Sequence, residues 1–163
     1  DITALLNPTI NSYKRLVIGY EAPDYIAWGA SNRTTLIRIP EILPANTHHL
    51  RAELRSPDPS CNPYLALAAI IFSCLDGIEH QTPLCAPTTE NLFELSNLEL
   101  KKIGIQALPS SLQSAIDRFS TSSFIAQCFG ADFQATYTEI KSQEIAAFDQ
   151  HITTWEINRY RNM

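Results

Sequence analysis

His49-Leu50-Arg51-Ala52-Glu53-Leu54-Arg55, running on into Ser56-Pro57-Asp58-Pro59, is the stretch on which the reading of this chain turns. Side chains in a strand alternate between faces. Leu50, Ala52 and Leu54 therefore share one face, toward a core. Arg51, Glu53 and Arg55 share the other, about 6.6 Å apart at roughly 3.3 Å per residue. An Arg-Glu-Arg row serves either as a ladder of exposed cross-strand ion pairs or as a site for an anionic ligand and a cation, with Glu53 holding the cation.

On the C-terminal side, Asn62-Pro63 opens a helix, since Asn suits the N-cap and Pro the first helical position. Tyr64 to Leu75 is apolar nearly all round, which predicts a buried helix over 63–76, with Gly77 as its stop. On the N-terminal side, Tyr25–Gly29 and Thr35–Ile39 read as strands, with Ala30–Arg33 as the turn between them. Residues 7–24 and 40–47 read as loops. Beyond residue 80 the pattern is helical and acidic. A short helix is expected near Glu90–Leu95, one capped by Ser110-x-x-Gln113 and running to about Phe119, and one from Phe124 to Phe129 ended by Gly130. A long helix is expected over about 132–151, with Phe133, Tyr137, Ile140, Glu144, Phe148 and Ile152 on one stripe. Trp28 and Trp155 read as packing residues. The fold class is α+β: antiparallel strands within 25–55, backed by the helix over 63–76, then a mainly helical C-terminal portion.

The 163 residues are enough for one domain with a real core, and 45% hydrophobic against 18% charged residues is a globular composition. A net charge of −5 argues against nucleic acid as a partner, which needs a basic face. The charge is uneven. Residues 1–55 hold six Lys+Arg against five Asp+Glu, and residues 56–163 hold six against twelve. Five of the eight arginines lie in that first third. Clustered guanidinium groups suit phosphate or carboxylate recognition, with surface salt bridging as the plainer alternative. Cys61, Cys74, Cys85 and Cys128 form no CxxC pair and no metal-ligand spacing. Buried reduced thiols in a cytoplasmic protein are the expectation. The longest apolar run, Leu65 to Leu75, is too short to span a bilayer. The opening Asp1-Ile2-Thr3-Ala4-Leu5-Leu6 reads as a helix entering a loop, and the chain as a fragment.

Three ordered blocks go further. The first is Asn7-Pro8-Thr9-Ile10-Asn11-Ser12-Tyr13-Lys14-Arg15-Leu16-Val17, followed by Gly19-Tyr20-Glu21-Ala22-Pro23. The second is Asn32-Arg33 with Ile37-Arg38-Ile39-Pro40. The third is Arg51-x-Glu53-x-Arg55-x-Pro57-Asp58-Pro59, then Asn62-Pro63-Tyr64-Leu65 and Leu75-Asp76-Gly77-Ile78. In this order and spacing they resemble the C-terminal half of the catalytic domain of type I glutamine synthetase. The match is dense over residues 5–80 and thinner over 81–163, where Asn91–Leu95 and Trp155-Glu156 still fit.

The resemblance implies an ATP-dependent ligase that joins ammonia to glutamate through γ-glutamyl phosphate. By the same resemblance, Glu53 binds a divalent metal, Mg²⁺ or Mn²⁺. Arg15 and Arg55 bind the substrate glutamate. Arg33, Arg38 and Arg51 meet the ATP phosphates and the acyl phosphate, with Arg33 and Glu21 as the catalytic pair and Glu21 on the loop that handles ammonium. The residue types suit the chemistry. Charge on a transferring phosphoryl group needs arginines and metal, and ammonium must lose a proton before it attacks. Residues 1–80 would carry the active-site loops and helix with antiparallel strands that form part of the family's catalytic barrel, and 81–163 a helical region. The other metal ligands and the N-terminal domain would lie upstream, so this piece alone is expected to be inactive. The whole protein would assemble as two stacked hexameric rings, without nucleic acid or membrane partners. Two alternatives stand beside this: a ligase joining glutamate to a larger amine such as a polyamine, and a non-catalytic relative serving assembly or regulation. The sequence departs from the family pattern at Ile18, where Pro is usual, and at Ser31, where Arg is common. Phe93 occupies the position of the tyrosine that some relatives modify by adenylylation, and Phe lacks the hydroxyl. The Trp155-Glu156 ending resembles the branch controlled by feedback and partner proteins, in which Glu144 falls near a regulatory glutamate.

Overall fold

The computed structural model describes residues 1–16, 22–41 and 51–161. Among them the order is α1 (Thr3–Leu6), α2 (Ser12–Arg15), β1 (Tyr25–Ala30), β2 (Thr35–Ile39), β3 (Glu53–Leu54), α3 (Pro63–Glu79), a 3₁₀ turn at Leu92–Glu94, α4 (Asn97–Lys102), β4 (Gln106–Ala107), α5 (Leu112–Ser120), α6 (Ser123–Phe129), α7 (Ala131–Asp149) and α8 (Thr154–Tyr160). This is the expected α+β arrangement, a small sheet followed by helices.

The sheet runs β3-β2-β1-β4. Pairing is antiparallel for β2–β3, with Arg38 opposite Glu53, and for β1–β4. The expectation of antiparallel strands fails for β1–β2, which run parallel with Trp28 opposite Ile37 and Gly29 opposite Arg38. Parallel neighbours ordinarily need a longer crossover. Here residues 31–34 make the return because they are not a hairpin turn. Ser31 takes a left-handed conformation (φ 54°). The Asn32 side chain holds Thr34 on one side and the backbone of Thr88 and Glu90 on the other, which anchors the connection to a distant segment.

Strand β3 is shorter than the 49–55 expected. Arg51 and Ala52 precede it and are exposed, so Ala52 is not a core residue, and Leu50 lies outside the described residues. Leu54 is half-buried opposite exposed Ile37.

Helix α3 starts as read: the Asn62 side chain accepts from the Tyr64 and Leu65 amides, and Pro63 follows. It does not stop at Gly77 but runs to Glu79, because no residue before Gln81 (φ 48°) needs the left-handed conformation that ends a helix. Nor is it buried. Ala66 and Ala69 pack inward, whereas Tyr64, Leu67, Ile71, Leu75 and Ile78 stand exposed along the other side. An all-round apolar helix is buried only where neighbours cover every side, and the described residues cover one.

The main core joins α1, α3, α5, α6 and α7 around fully buried Phe119 and Ile125. A run of rings ties these helices together: Phe72 to Phe129 (5.5 Å between centroids), Phe129 to Phe133 (5.3 Å), Phe133 to Tyr137 (5.8 Å) and Tyr137 to Phe119 (5.1 Å). The packing stripe of α7 is Phe133, Tyr137 and Ile145; Ile140 and Phe148 are exposed, contrary to the stripe read from sequence. The cap of α5 is Ser111 with Ser114, one residue later than Ser110 with Gln113. A second cluster of Tyr25, Ala27, Leu92 and Leu100 lies against the sheet. The four cysteines are free thiols, but Cys74 and Cys85 are exposed and the others half-buried, so the expectation of buried thiols fails. Trp28 is tied by its indole N–H to the Cys85 carbonyl (2.8 Å), and Trp155 is exposed with its ring edge-on to Tyr160. Among the described residues no helix is long and apolar enough to cross a membrane.

Candidate functional site

The antiparallel pairing of β2 with β3 sets Arg38 and Glu53 directly opposite each other, so their side chains share a face. Arg38 Nη1 donates to Glu53 Oε2 at 3.2 Å. Arg55, two residues along, brings its Nε to 3.4 Å from Glu53 Oε1. Each carboxylate oxygen thus meets a different guanidinium. The Glu53 side chain is 41% exposed while that of Arg55 is 11% exposed, so the carboxylate stays accessible while the arginine beneath it is held.

The backbone carries the ladder past β3, since the Arg55 amide donates to the Leu36 carbonyl (3.0 Å). Arg55 Nη1 also donates to the Arg33 carbonyl. That bond places Arg33, exposed on the β1–β2 connection, beside the same wall. Arg15 arrives from α2, whose start is braced by reciprocal hydrogen bonds between Thr9 and Ser12. Its Nη2 donates to Asn7 Oδ1 (3.3 Å) and to the Ser56 carbonyl, next to Arg55 in the chain. Burial alone would raise the Asp58 carboxyl, but hydrogen bonds from Ser60 and Ser12 and the charge of Arg15 hold it below the usual carboxylate range.

Of the residues singled out from sequence, Arg38, Glu53 and Arg55 are brought together, Arg33 is joined to them through its carbonyl, and Arg15 is held next door on the Ser56 carbonyl. Arg51 precedes β3 and is exposed. Glu21 lies outside the described residues. Two contributors escaped the sequence reading as individuals, Asn7 and Asn32. Asn7 is fully buried and braces Arg15. The signal for Asn32 was present in Asn32-Arg33-Thr34, since Asn commonly bonds the backbone two residues on.

A divalent ion takes about six or more oxygen ligands. Among the described residues no group of three or more His, Cys, Asp or Glu gathers to hold one. Glu53 suits one ligand position, and the described residues alone do not make a metal centre. What they make is one accessible carboxylate bracketed by the guanidinium groups of Arg38 and Arg55, and guanidinium groups suit anionic ligands.

The fold is α+β, with a small sheet that carries the Arg38–Glu53–Arg55 cluster. The family model "Glutamine synthetase, catalytic domain" matches residues 1–160. Glutamine synthetase of Methanosarcina mazei is 44% identical over 163 residues, covering 100% of this chain and 36% of that protein. The Thermotoga maritima glutamine synthetase is 42% identical over 159 residues, covering 98% of this chain and 36% of that protein. Among solved structures, GmaS without ligand superposes with a TM-score of 0.78 at 32% identity, over 99% of this chain and 35% of that one. The GmaS/ADP complex in its conformation 1 gives 0.81 at 33% identity, over 99% and 36%. The chain belongs to the glutamine synthetase catalytic-domain family, and it spans about a third of the length of these relatives.

Proposed function

We propose that this chain forms one wall of the active site of an ATP-dependent glutamate–ammonia ligase. The observation that carries the reading is Glu53 held between Arg38 and Arg55, with Arg33 tied to Arg55 through its carbonyl. The names of the curated relatives support ammonia as the acceptor over a larger amine.

In this reading Arg15 and Arg55 receive the glutamate carboxylates, and Arg33, Arg38 and Arg51 the phosphoryl oxygens of ATP and of γ-glutamyl phosphate. Positive groups fixed where charge develops stabilise a transferring phosphoryl group without reorganisation. Glu53 is one carboxylate ligand of Mg²⁺ or Mn²⁺, with the remaining ligands supplied from elsewhere in the whole protein. Such a cation offsets charge on the phosphoryl oxygens. Glu21 takes a proton from ammonium before attack. Residues 1–80 supply the site and 81–163 its helical support, within a cytoplasmic protein assembled as stacked hexameric rings.

The test is γ-glutamyl hydroxamate formation from glutamate, hydroxylamine, ATP and Mg²⁺ or Mn²⁺. The full-length protein is expected to turn over, and residues 1–163 alone are not. A full-length protein without turnover sinks the ligase reading; turnover by residues 1–163 alone sinks the claim that one wall is not enough.

A further inference from the structure

The segment Cys85–Leu92 lies against β1 at Trp28 and is stitched to the β1–β2 connection. Asn32 makes the stitch with all of its amide capacity, two donors and two acceptor positions. Its Nδ2 donates to the Thr88 carbonyl (3.0 Å) and to the Glu90 carbonyl (2.9 Å). Its Oδ1 accepts from the Thr34 amide (2.9 Å) and the Thr34 hydroxyl (2.8 Å). The Thr34 hydroxyl in turn accepts from the Leu92 amide (3.1 Å), and the Thr88 amide donates to the Trp28 carbonyl (2.8 Å). The approach is so close that a Cβ on Gly29 would lie 2.4 Å from the Thr88 carbonyl oxygen.

Arg33 sits between the two pinned residues, and its carbonyl receives Arg55 Nη1. Arg55 then stands against Glu53. A continuous line of bonds therefore runs from the strap to the carboxylate: Thr88 and Glu90, Asn32, the Arg33 carbonyl, Arg55, Glu53. We infer that Asn32 is a positioning residue, which fixes Arg33, and through the Arg33 carbonyl Arg55, by clamping the β1–β2 connection to the 85–92 strap. The inference rests on the roles proposed above for those arginines. The Asn32 amide is taken up by Thr34, Thr88 and Glu90 and is not directed at substrate. It acts by removing the freedom of the loop, and small displacements of positioned groups cost large factors in rate.

The experiment uses the full-length protein with Asn32→Asp, Asn32→Ala and Thr34→Val. Asn32→Asp keeps the oxygen that binds Thr34 but replaces both strap donors with an acceptor facing two carbonyls. It is expected to raise the KM for glutamate about tenfold through Arg55 and to lower kcat through Arg33, and to release the Thr88 and Leu92 amides to hydrogen exchange. Thr34→Val removes only the hydroxyl link and is expected to release Leu92 with a smaller rise in KM. Asn32→Ala is expected to match or exceed Asn32→Asp. If Asn32→Asp frees both amides and leaves KM and kcat unchanged, or lowers Tm with neither KM nor kcat altered, the positioning role is overturned. Should the wild-type protein form no hydroxamate, the ligase reading fails separately. The clamp is then judged by exchange alone, and amides that stay protected in Asn32→Asp overturn it.

Discussion

Arg38 and Glu53 face each other across the β2–β3 ladder, 3.2 Å apart, on a strand only two residues long. The pair is partly exposed, and such pairs contribute little to stability, about 0–1 kcal/mol. Glu53→Gln in the full-length protein is therefore expected to leave Tm nearly unchanged while lowering hydroxamate formation by about a hundredfold or more. Activity titrated against Mn²⁺, beside a thermal melt, checks this. A variant with full activity removes Glu53 from the site.

Two glycines are expected to respond in opposite directions. Alanine at Gly29 places its Cβ against the Thr88 backbone oxygen, which cannot swing aside as a side chain would. The expected loss is at least about 1 kcal/mol. Alanine at Gly77 meets open space inside a regular helix and is expected to gain about 0.5–1 kcal/mol. Urea midpoints at unchanged slope separate the two.

Phe119 is fully buried, with the Tyr137 ring 5.1 Å away and its own carbonyl accepting from Gln134. Phe119→Ala opens a cavity where α1, α5 and α7 meet, at a cost of about 3–5 kcal/mol. Denaturant unfolding reads the loss directly. Phe119→Leu is expected to recover much of it.

Burial, reinforced by the Glu144 carboxylate, pushes the Tyr137 phenol up to about 12 from 10.0. Its hydroxyl donates to the Ala4 carbonyl at 2.9 Å. Between those two values the folded protein holds a proton that the unfolded chain has lost. Stability is therefore full below about pH 10 and falls as pH rises toward 12. Burial shifts Tyr13 in the same direction, so Tyr137→Phe is expected to reduce the alkaline slope without abolishing it. Unfolding free energy measured across alkaline pH tests this; an unchanged slope counts against it.

Local signals were the legible ones. The Asn62-Pro63 start of α3 and the Gly130 end of α6 depend on a few adjacent backbone groups, and both stand where the sequence put them. Alternation along 51–55 correctly set Glu53 and Arg55 together. It gave no hint of Arg38, whose place depends on pairing with another strand. The parallel course of β2 was hidden for a similar reason, because Asn32 is anchored to residues 56 and 58 positions further along the chain. The exposed side of α3 shows that an apolar run reports what a helix needs covered, not what a given length of chain covers.

Among the described residues the sheet ends at β3, the strand that carries Glu53. A strand added along that border would lie about 4.8 Å away and set every second side chain on the Glu53 face. One added beyond β4 would stand four spacings off, about 19 Å from Glu53. A side chain supplied beyond β3 therefore comes within reach of Glu53, whereas one supplied beyond β4 does not.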